Sequence, residues 1–269
     1  MDNIIEIKNL NYKVHDTTIF KNFNLTVKTG SFTCIAGNNT SGKTTLIKLI
    51  NGTLPSNNTI TIGYSYVNSK RYNDHAIEIG TVYGNNLNFF LFDDVYKEMI
   101  FPLENLNLKK SEIEKRVLEI SKFFGVNKLL DKKTYDLTNK ERQELLIVIA
   151  LLHEPKVLLL DNALSMMDNI SKEHMLRKLK EYQIENNLTI LLTTTNLEDT
   201  LDSDYLYIIN KGNVAIEGRT LEVLKEDTRI NRLGLEIPFM VDLSLKLGFY
   251  DLLTNIETDM DRMVDTLWK

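Results

Sequence analysis

Cysteine is almost absent from the 269-residue chain, with Cys34 its single occurrence. An intrachain disulfide and a multi-cysteine zinc site are therefore excluded, and a reducing, cytoplasmic setting is the expectation. Prolines number four and glycines 12, which leaves no room for long linkers or low-complexity tracts. No apolar run approaches the roughly 20 residues of a membrane span. The longest, such as residues 145–152, suit the core of a helix. Residues 1–10 mix polar and apolar side chains and lack the apolar block of a secretory signal. Work at a membrane would need another subunit to hold the chain there. An excess of positive charge is missing too. The formal net charge is −5, which argues against a dedicated nucleic-acid-binding domain. His15, His75, His153 and His174 show no metal-ligand spacing and are expected at the surface or at helix ends.

What is present is an ordinary globular composition, 43% hydrophobic and 26% charged, enough for one large domain or two small ones. Residues 4–7 and 17–27 read as strands, and residues 32–36 as a short buried strand around Cys34. A glycine-bearing loop follows, then a helical face of Leu46, Ile47, Leu49 and Ile50 ending near Gly52. Further strands are expected at 60–68, 77–83, 156–160, 188–193, 205–209 and 213–217. Helices are expected over much of 93–129, then 140–152, 171–186 and 220–269, with a helical turn at 197–202. Strands alternating with helices predict an α/β fold with a parallel sheet.

The chemistry is concentrated in Gly37-Asn38-Asn39-Thr40-Ser41-Gly42-Lys43-Thr44, which matches G-x-x-x-x-G-K-[ST]. Glycines at this spacing let successive backbone N–H groups face a phosphate, and the following helix adds the positive end of its dipole. Asn38, Asn39, Thr40, Ser41, Gly42, Lys43, Thr44 and Thr45 are the candidate nucleotide-binding residues. Lys43 would reach the β- and γ-phosphates, and the Thr44 hydroxyl would ligate Mg²⁺. Downstream, Val157-Leu-Leu-Leu-Asp161 reads as a buried strand ending in the second Mg²⁺-binding residue, Asp161. Together these predict a phosphate-loop protein that binds ATP with Mg²⁺.

From this point the chain resembles the ABC ATPase family over nearly its whole length. Residues 5–10 and 20–25 look like that family's opening strands. Leu137-Thr-Asn-Lys-Glu-Arg-Gln143 lies where the family has its LSGGQ signature, and Ser165-Met-Met-Asp168 resembles the D-loop. Residues 82–105 and the tail segment Leu233-Gly-Leu-Glu-Ile-Pro-Phe239 are similar to the energy-coupling-factor subfamily. The resemblance implies a P-loop NTPase core of the ABC type, with a parallel sheet and an antiparallel β subdomain. It also implies a helical insert over about 88–150. The ATPase domain would span 1–224 and a C-terminal helical extension 225–269. The implied partners are a second ABC ATPase subunit and a transmembrane scaffold subunit, with the chain peripheral on the cytoplasmic face of the membrane.

Departures from the family pattern fall on the catalytic positions. Asn162 stands where the family has the Glu that polarises the attacking water, and an amide cannot act as a base. Thr195 stands at the switch His, and Gly84 at the Q-loop Gln. Val14, with Tyr12 nearby, occupies the place of the adenine-stacking aromatic. The signature glycines are Asn139 and Lys140. Thr40 replaces a glycine and is strained if that position needs positive φ. Lys43, Thr44, Asp161 and Asp168 remain. The expectation is a subunit that binds Mg-ATP, hydrolyses it weakly or not at all, and pairs with a competent ATPase subunit rather than with itself. The alternative is a non-catalytic nucleotide-binding regulator or scaffold. The apolar run Phe89-Phe-Leu-Phe92 is expected to meet the membrane subunit. Asp93, Asp94 and Glu98 are expected to form a solvated helix start, and Met166 and Met167 to pack near the dimer seam.

Overall fold

The computed structural model describes residues 2–57, 59–63, 65–67, 78–84, 90–104, 106 and 108–268. His75, Phe89 and Asn105 lie outside the described residues.

Strands β1 (Asn3–Val14), β2 (Thr17–Lys28), β4 (Ile60–Ile62) and β5 (Ser65–Tyr66) form an antiparallel sheet in the order β2-β1-β4-β5. The first strand is much longer than the 4–7 expected from its apolar pattern. Asparagines explain the extension. Asn9 and Asn22 adopt φ of 51° and 49°, a left-handed conformation that Asn tolerates better than most residues. Their neighbours' side-chain amides then bond the backbone across the irregularity. Asn9 N–H donates to Asn24 Oδ1 at 2.9 Å, and Asn22 N–H to Asn11 Oδ1 at 3.0 Å. Pairing continues past the bulges to Val14.

The second sheet contains β3 (Phe32–Ala36), β6 (Ile79–Tyr83), β7 (Val157–Asp161), β8 (Thr189–Thr194), β9 (Tyr205–Asn210) and β10 (Asn213–Arg219). Their order is β10-β9-β3-β8-β7-β6, parallel throughout except for β10. Both faces are covered, so the central strands are continuous apolar runs, as expected for a parallel sheet. Phe32, Cys34, Leu158, Leu160, Ile190 and Leu192 point into one core, against the helical part of the chain. Ile35, Val157, Leu159 and Leu191 point into the other, shared with the antiparallel sheet. Helix α1 (Lys43–Ile50) lies in this second core through Leu46, Ile47, Leu49 and Ile50. Cys34, on the opposite face of β3, is fully buried in the first core as a small apolar residue, its thiol pKa raised by burial.

Helices α2 (Val95–Glu104), α3 (Lys110–Phe124) and α4 (Asn139–Ile149) come next, then α5 (Asn169–Asn186) between β7 and β8. Among the described residues the tail holds four helices, α6 (Thr220–Leu224), α7 (Asp227–Arg232), α8 (Phe239–Phe249) and α9 (Met260–Leu267). Gly234, at φ 73°, and Pro238 separate α7 from α8. Ile230, Leu235 and Val241 of this tail are buried in the main core.

Glu98 overturns the solvated reading of the 93–98 segment. It is 7% exposed, and its Oε2 accepts from the backbone N–H of Leu91 at 2.9 Å and of Phe92 at 2.8 Å. Burial raises its pKa, against the pull of those two bonds. Asp94 does stay at the surface, paired with Lys97 and Lys133. The apolar run beside it is divided. Phe90 packs on the core, Phe92 stacks on Phe101 with centroids 5.4 Å apart, and Leu91 is 70% exposed.

Candidate functional site: a cleft at the ends of the parallel strands

The C-terminal ends of β3, β6, β7 and β8 open onto one cleft of about 750 Å³, the usual place for a ligand in an open α/β sheet. Residues 39–45 form one wall. Tyr83, Gly84, Asp161, Asn162 and Thr195 face them, with Ile19, Lys48 and Thr53 at the margins. Of the nucleotide-binding candidates, Asn39, Thr40, Ser41, Gly42, Lys43, Thr44 and Thr45 line this cleft. The Asn38 side chain turns away from it, and its Nδ2 donates to Leu233 O at 2.7 Å.

Sterics explain the loop's glycines. Gly42 has φ 105°, and a Cβ there would sit 2.9 Å from the Phe20 ring. Gly42 caps α1 with no side-chain hydrogen bond, and the first turn of α1 carries no acidic residue. Among the described residues, the helix's leading N–H groups are thus left without a side-chain acceptor, the arrangement that binds anions. Thr40 has φ 67°, so the anticipated strain is present. A β-branched residue is a poor occupant of that conformation.

Lys43 is 8% exposed. Its Nζ donates to Gly37 O at 2.6 Å, Asn38 O at 3.0 Å and Ser41 Oγ at 3.4 Å. All three partners are neutral. Burial lowers its pKa, and the Asp161 carboxylate partly opposes that. A buried cation without a contacting carboxylate favours an anion in the cleft.

Asp161 is 6% exposed. Its Oδ1 accepts from Thr193 Oγ1 at 2.7 Å, and Oδ2 has no hydrogen bond among the described residues. Asn162 follows in a left-handed conformation, φ 52°, and its N–H is shared between Thr193 O at 3.0 Å and Thr193 Oγ1 at 3.2 Å. Gly84 N–H donates to Asp161 O at 2.8 Å. A Cβ on Gly84 would lie 2.0 Å from the Asn162 carbonyl oxygen. Gly84 and Asn162 are therefore one structural unit. With Asn162 in this conformation, only glycine fits opposite it.

The triphosphate and Mg²⁺ expected from the sequence fit these residues. Uncapped helix N–H groups and Lys43 suit the phosphates, while Thr44 and the free Oδ2 of Asp161 are oxygen ligands of the kind Mg²⁺ takes. Neither Tyr12 nor Val14 lines the cleft. Tyr12 packs on the second core, Val14 is 41% exposed, and Ile19 stands at the cleft margin instead.

The family model for ABC transporter domains matches residues 20–165, more than half of the chain. The chain belongs to the ABC transporter family. It is 30% identical over 240 residues to the energy-coupling factor transporter ATP-binding protein EcfA1 of Ligilactobacillus salivarius, covering 88% of this chain and 85% of that protein. Among solved structures it is similar to cbiO1 from Clostridium perfringens, part of the ABC transporter complex cbiONQ. The TM-score is 0.78 at 30% identity, over 88% of this chain and 97% of that one. The cassette MJ0796, solved as a dimer bound to ADP and Pi, has the same fold at TM-score 0.72 and 22% identity, over 80% of this chain and 98% of that one.

In this ABC cassette the signature segment forms the start of α4, and its first turn differs from that of α1. Thr138 is the N-cap of a complete capping box with Glu141. Thr138 N–H donates to Glu141 Oε2 at 3.0 Å, Thr138 Oγ1 donates to the same oxygen at 3.1 Å, and Glu141 N–H donates to Thr138 Oγ1 at 3.2 Å. Lys132 Nζ lies 2.7 Å from Glu141 Oε1. That bond and the two from Thr138 hold the Glu141 pKa down to about 2. Lys140 Nζ is 3.8 Å from Glu144 and 4.0 Å from Asp168. Asp168 itself caps α5 through Ser171. Met167 is buried, and Met166 is 42% exposed.

Residues missed by the sequence reading are Ile19, Lys48, Thr53, Tyr83 and Thr193. Thr193 was within reach of it. It is the penultimate residue of β8, the strand beside the one that ends in Asp161, and the two residues are register partners.

Proposed function

We propose that this chain is the ATP-binding, energy-coupling subunit of an energy-coupling-factor type transporter. It holds Mg-ATP and hydrolyses it slowly or not at all. The observation that carries the binding half is the open N-terminus of α1 beside buried Lys43, which has only neutral partners. Support for weak hydrolysis comes from the other wall. Asn162 offers no base, Thr195 is uncharged, and Gly84 brings no side chain to the cleft. A lost general base costs about 10²–10⁴ in rate.

The chain would work peripherally at the cytoplasmic face of the membrane, paired with a second ATPase subunit and docked on a transmembrane scaffold. The relatives supply the grounds for this. One is part of the complex cbiONQ, and one fold neighbour is a dimer. A partner of different sequence is favoured over a second copy, because a homodimer would carry the Asn162 and Thr195 substitutions in both sites. The signature face supports the same asymmetry, since Glu141 fills the first turn of α4 with this chain's own carboxylate.

The test is equilibrium titration of the purified chain with Mg-ATP, with Lys43→Ala as control. Binding by the wild type and loss in the variant is expected. Absence of binding at millimolar ATP, alone and with a partner ATPase, refutes nucleotide binding and leaves a structural scaffold.

A further inference from the structure

We propose that Thr193 is the positioning residue for the cation end of this cleft, setting how strongly Mg²⁺ enhances nucleotide binding. The inference rests on the nucleotide-binding reading above and deepens it. Thr193 is fully buried and does not line the cleft, so it acts through Asp161. Its hydroxyl has one proton, and that proton is committed to Asp161 Oδ1 at 2.7 Å. Thr193 Oγ1 in turn accepts from Asn162 N–H at 3.2 Å. One side chain thus fixes two things. It holds the carboxylate in the rotamer that leaves Oδ2 unbonded, and it anchors the left-handed peptide that follows. Gly84 N–H on the Asp161 carbonyl closes the arrangement from the β6 side. The ends of β6 and β8 therefore both bond Asp161 at the end of β7, β6 through the Asp161 backbone carbonyl and β8 through its carboxylate. A ligand whose orientation depends on such a bond loses metal affinity when the bond is removed, by about 10–100-fold in metal sites with comparable supporting partners.

The experiment is a titration of the full chain with ATP, once with excess Mg²⁺ and once with EDTA, for wild type, Thr193→Val, Thr193→Ser and Asp161→Ala. The Mg²⁺ enhancement is expected to fall by about 10-fold or more in Thr193→Val, with ATP affinity in EDTA unchanged. Thr193→Ser keeps the donor and retains the enhancement. Adding Thr193→Val to Asp161→Ala has no further effect. An undiminished enhancement in Thr193→Val overturns the proposal. So does an equal loss in Mg²⁺ and in EDTA, which marks general damage to the cleft, as does failure of Thr193→Ser to rescue. A wild type that binds ATP without any Mg²⁺ enhancement overturns it while sparing nucleotide binding. A wild type that binds no ATP overturns both.

Discussion

Gly84→Ala isolates the coupling between the Q-loop position and the residue after Asp161. The new methyl carbon would lie 2.0 Å from the Asn162 carbonyl oxygen, 2.8 Å from its carbon and 3.0 Å from Ser165 Oγ. Relief requires the ends of β6 and β7 to part by about 1 Å or more to restore ordinary contact distances. Overpacking of this kind costs about 1–3 kcal/mol. Loss of the bond from Gly84 N–H to Asp161 O adds about 0.5–1.5 kcal/mol. The reduced freedom of the unfolded chain returns about 0.4–1 kcal/mol. The net cost is about 0.5–4 kcal/mol with a midpoint near 2, or about 4–8 °C in Tm at that midpoint for a chain of this size. The assay is thermal unfolding with and without Mg-ATP, beside Gly125→Ala as control. Gly125 has φ 75° and nothing within 4 Å of an added Cβ, so that variant meets only the left-handed penalty of about 1 kcal/mol. Mg-ATP stabilisation is expected to shrink in Gly84→Ala alone, because the displaced peptide belongs to Asp161. A Gly84→Ala protein that melts within about 1 °C of wild type and binds Mg-ATP normally would falsify the coupling.

Thr40→Gly removes a β-branched residue from φ 67° and is expected to raise stability by about 1 kcal/mol, read as a higher Tm; a lower Tm contradicts strain in the loop. Glu141 is held at a pKa of about 2, below the ordinary glutamate value of 4.5. The folded state therefore binds fewer protons between those values, and the stability contributed by Glu141 is present above pH 4.5 and lost as pH falls towards 2. Glu141→Gln should flatten that part of the acid-denaturation curve, and an unchanged curve counts against the capping box as its source. Leu91→Asp, at the exposed point of the apolar run, should abolish co-purification with a transmembrane subunit without lowering Tm. Retention of the membrane complex excludes Leu91 from the contact.

Much of the core was legible in the sequence because its causes are local. Residues 156–160 and 32–36 are apolar throughout, as strands buried on two faces must be. The phosphate loop announces itself through glycine spacing and a following helix. Other features depend on neighbours far along the chain. The full length of β1 hangs on amides of Asn11 and Asn24 bonding across a bulge. Glu98 looks like a surface residue of a helix start, yet it is buried because two backbone N–H groups need its carboxylate.

The sequence by itself determined that this is an α/β phosphate-loop chain of the ABC type, since both facts are carried by residue identity and spacing. Tertiary structure alone decided that Gly84 and Asn162 form one unit, that Thr193 holds Asp161, and that the Asn38 side chain bonds the C-terminal tail. These are contacts between segments 30 to nearly 200 positions apart. No local pattern encodes them, because strand order and the direction of a side chain are fixed only when the sheet assembles.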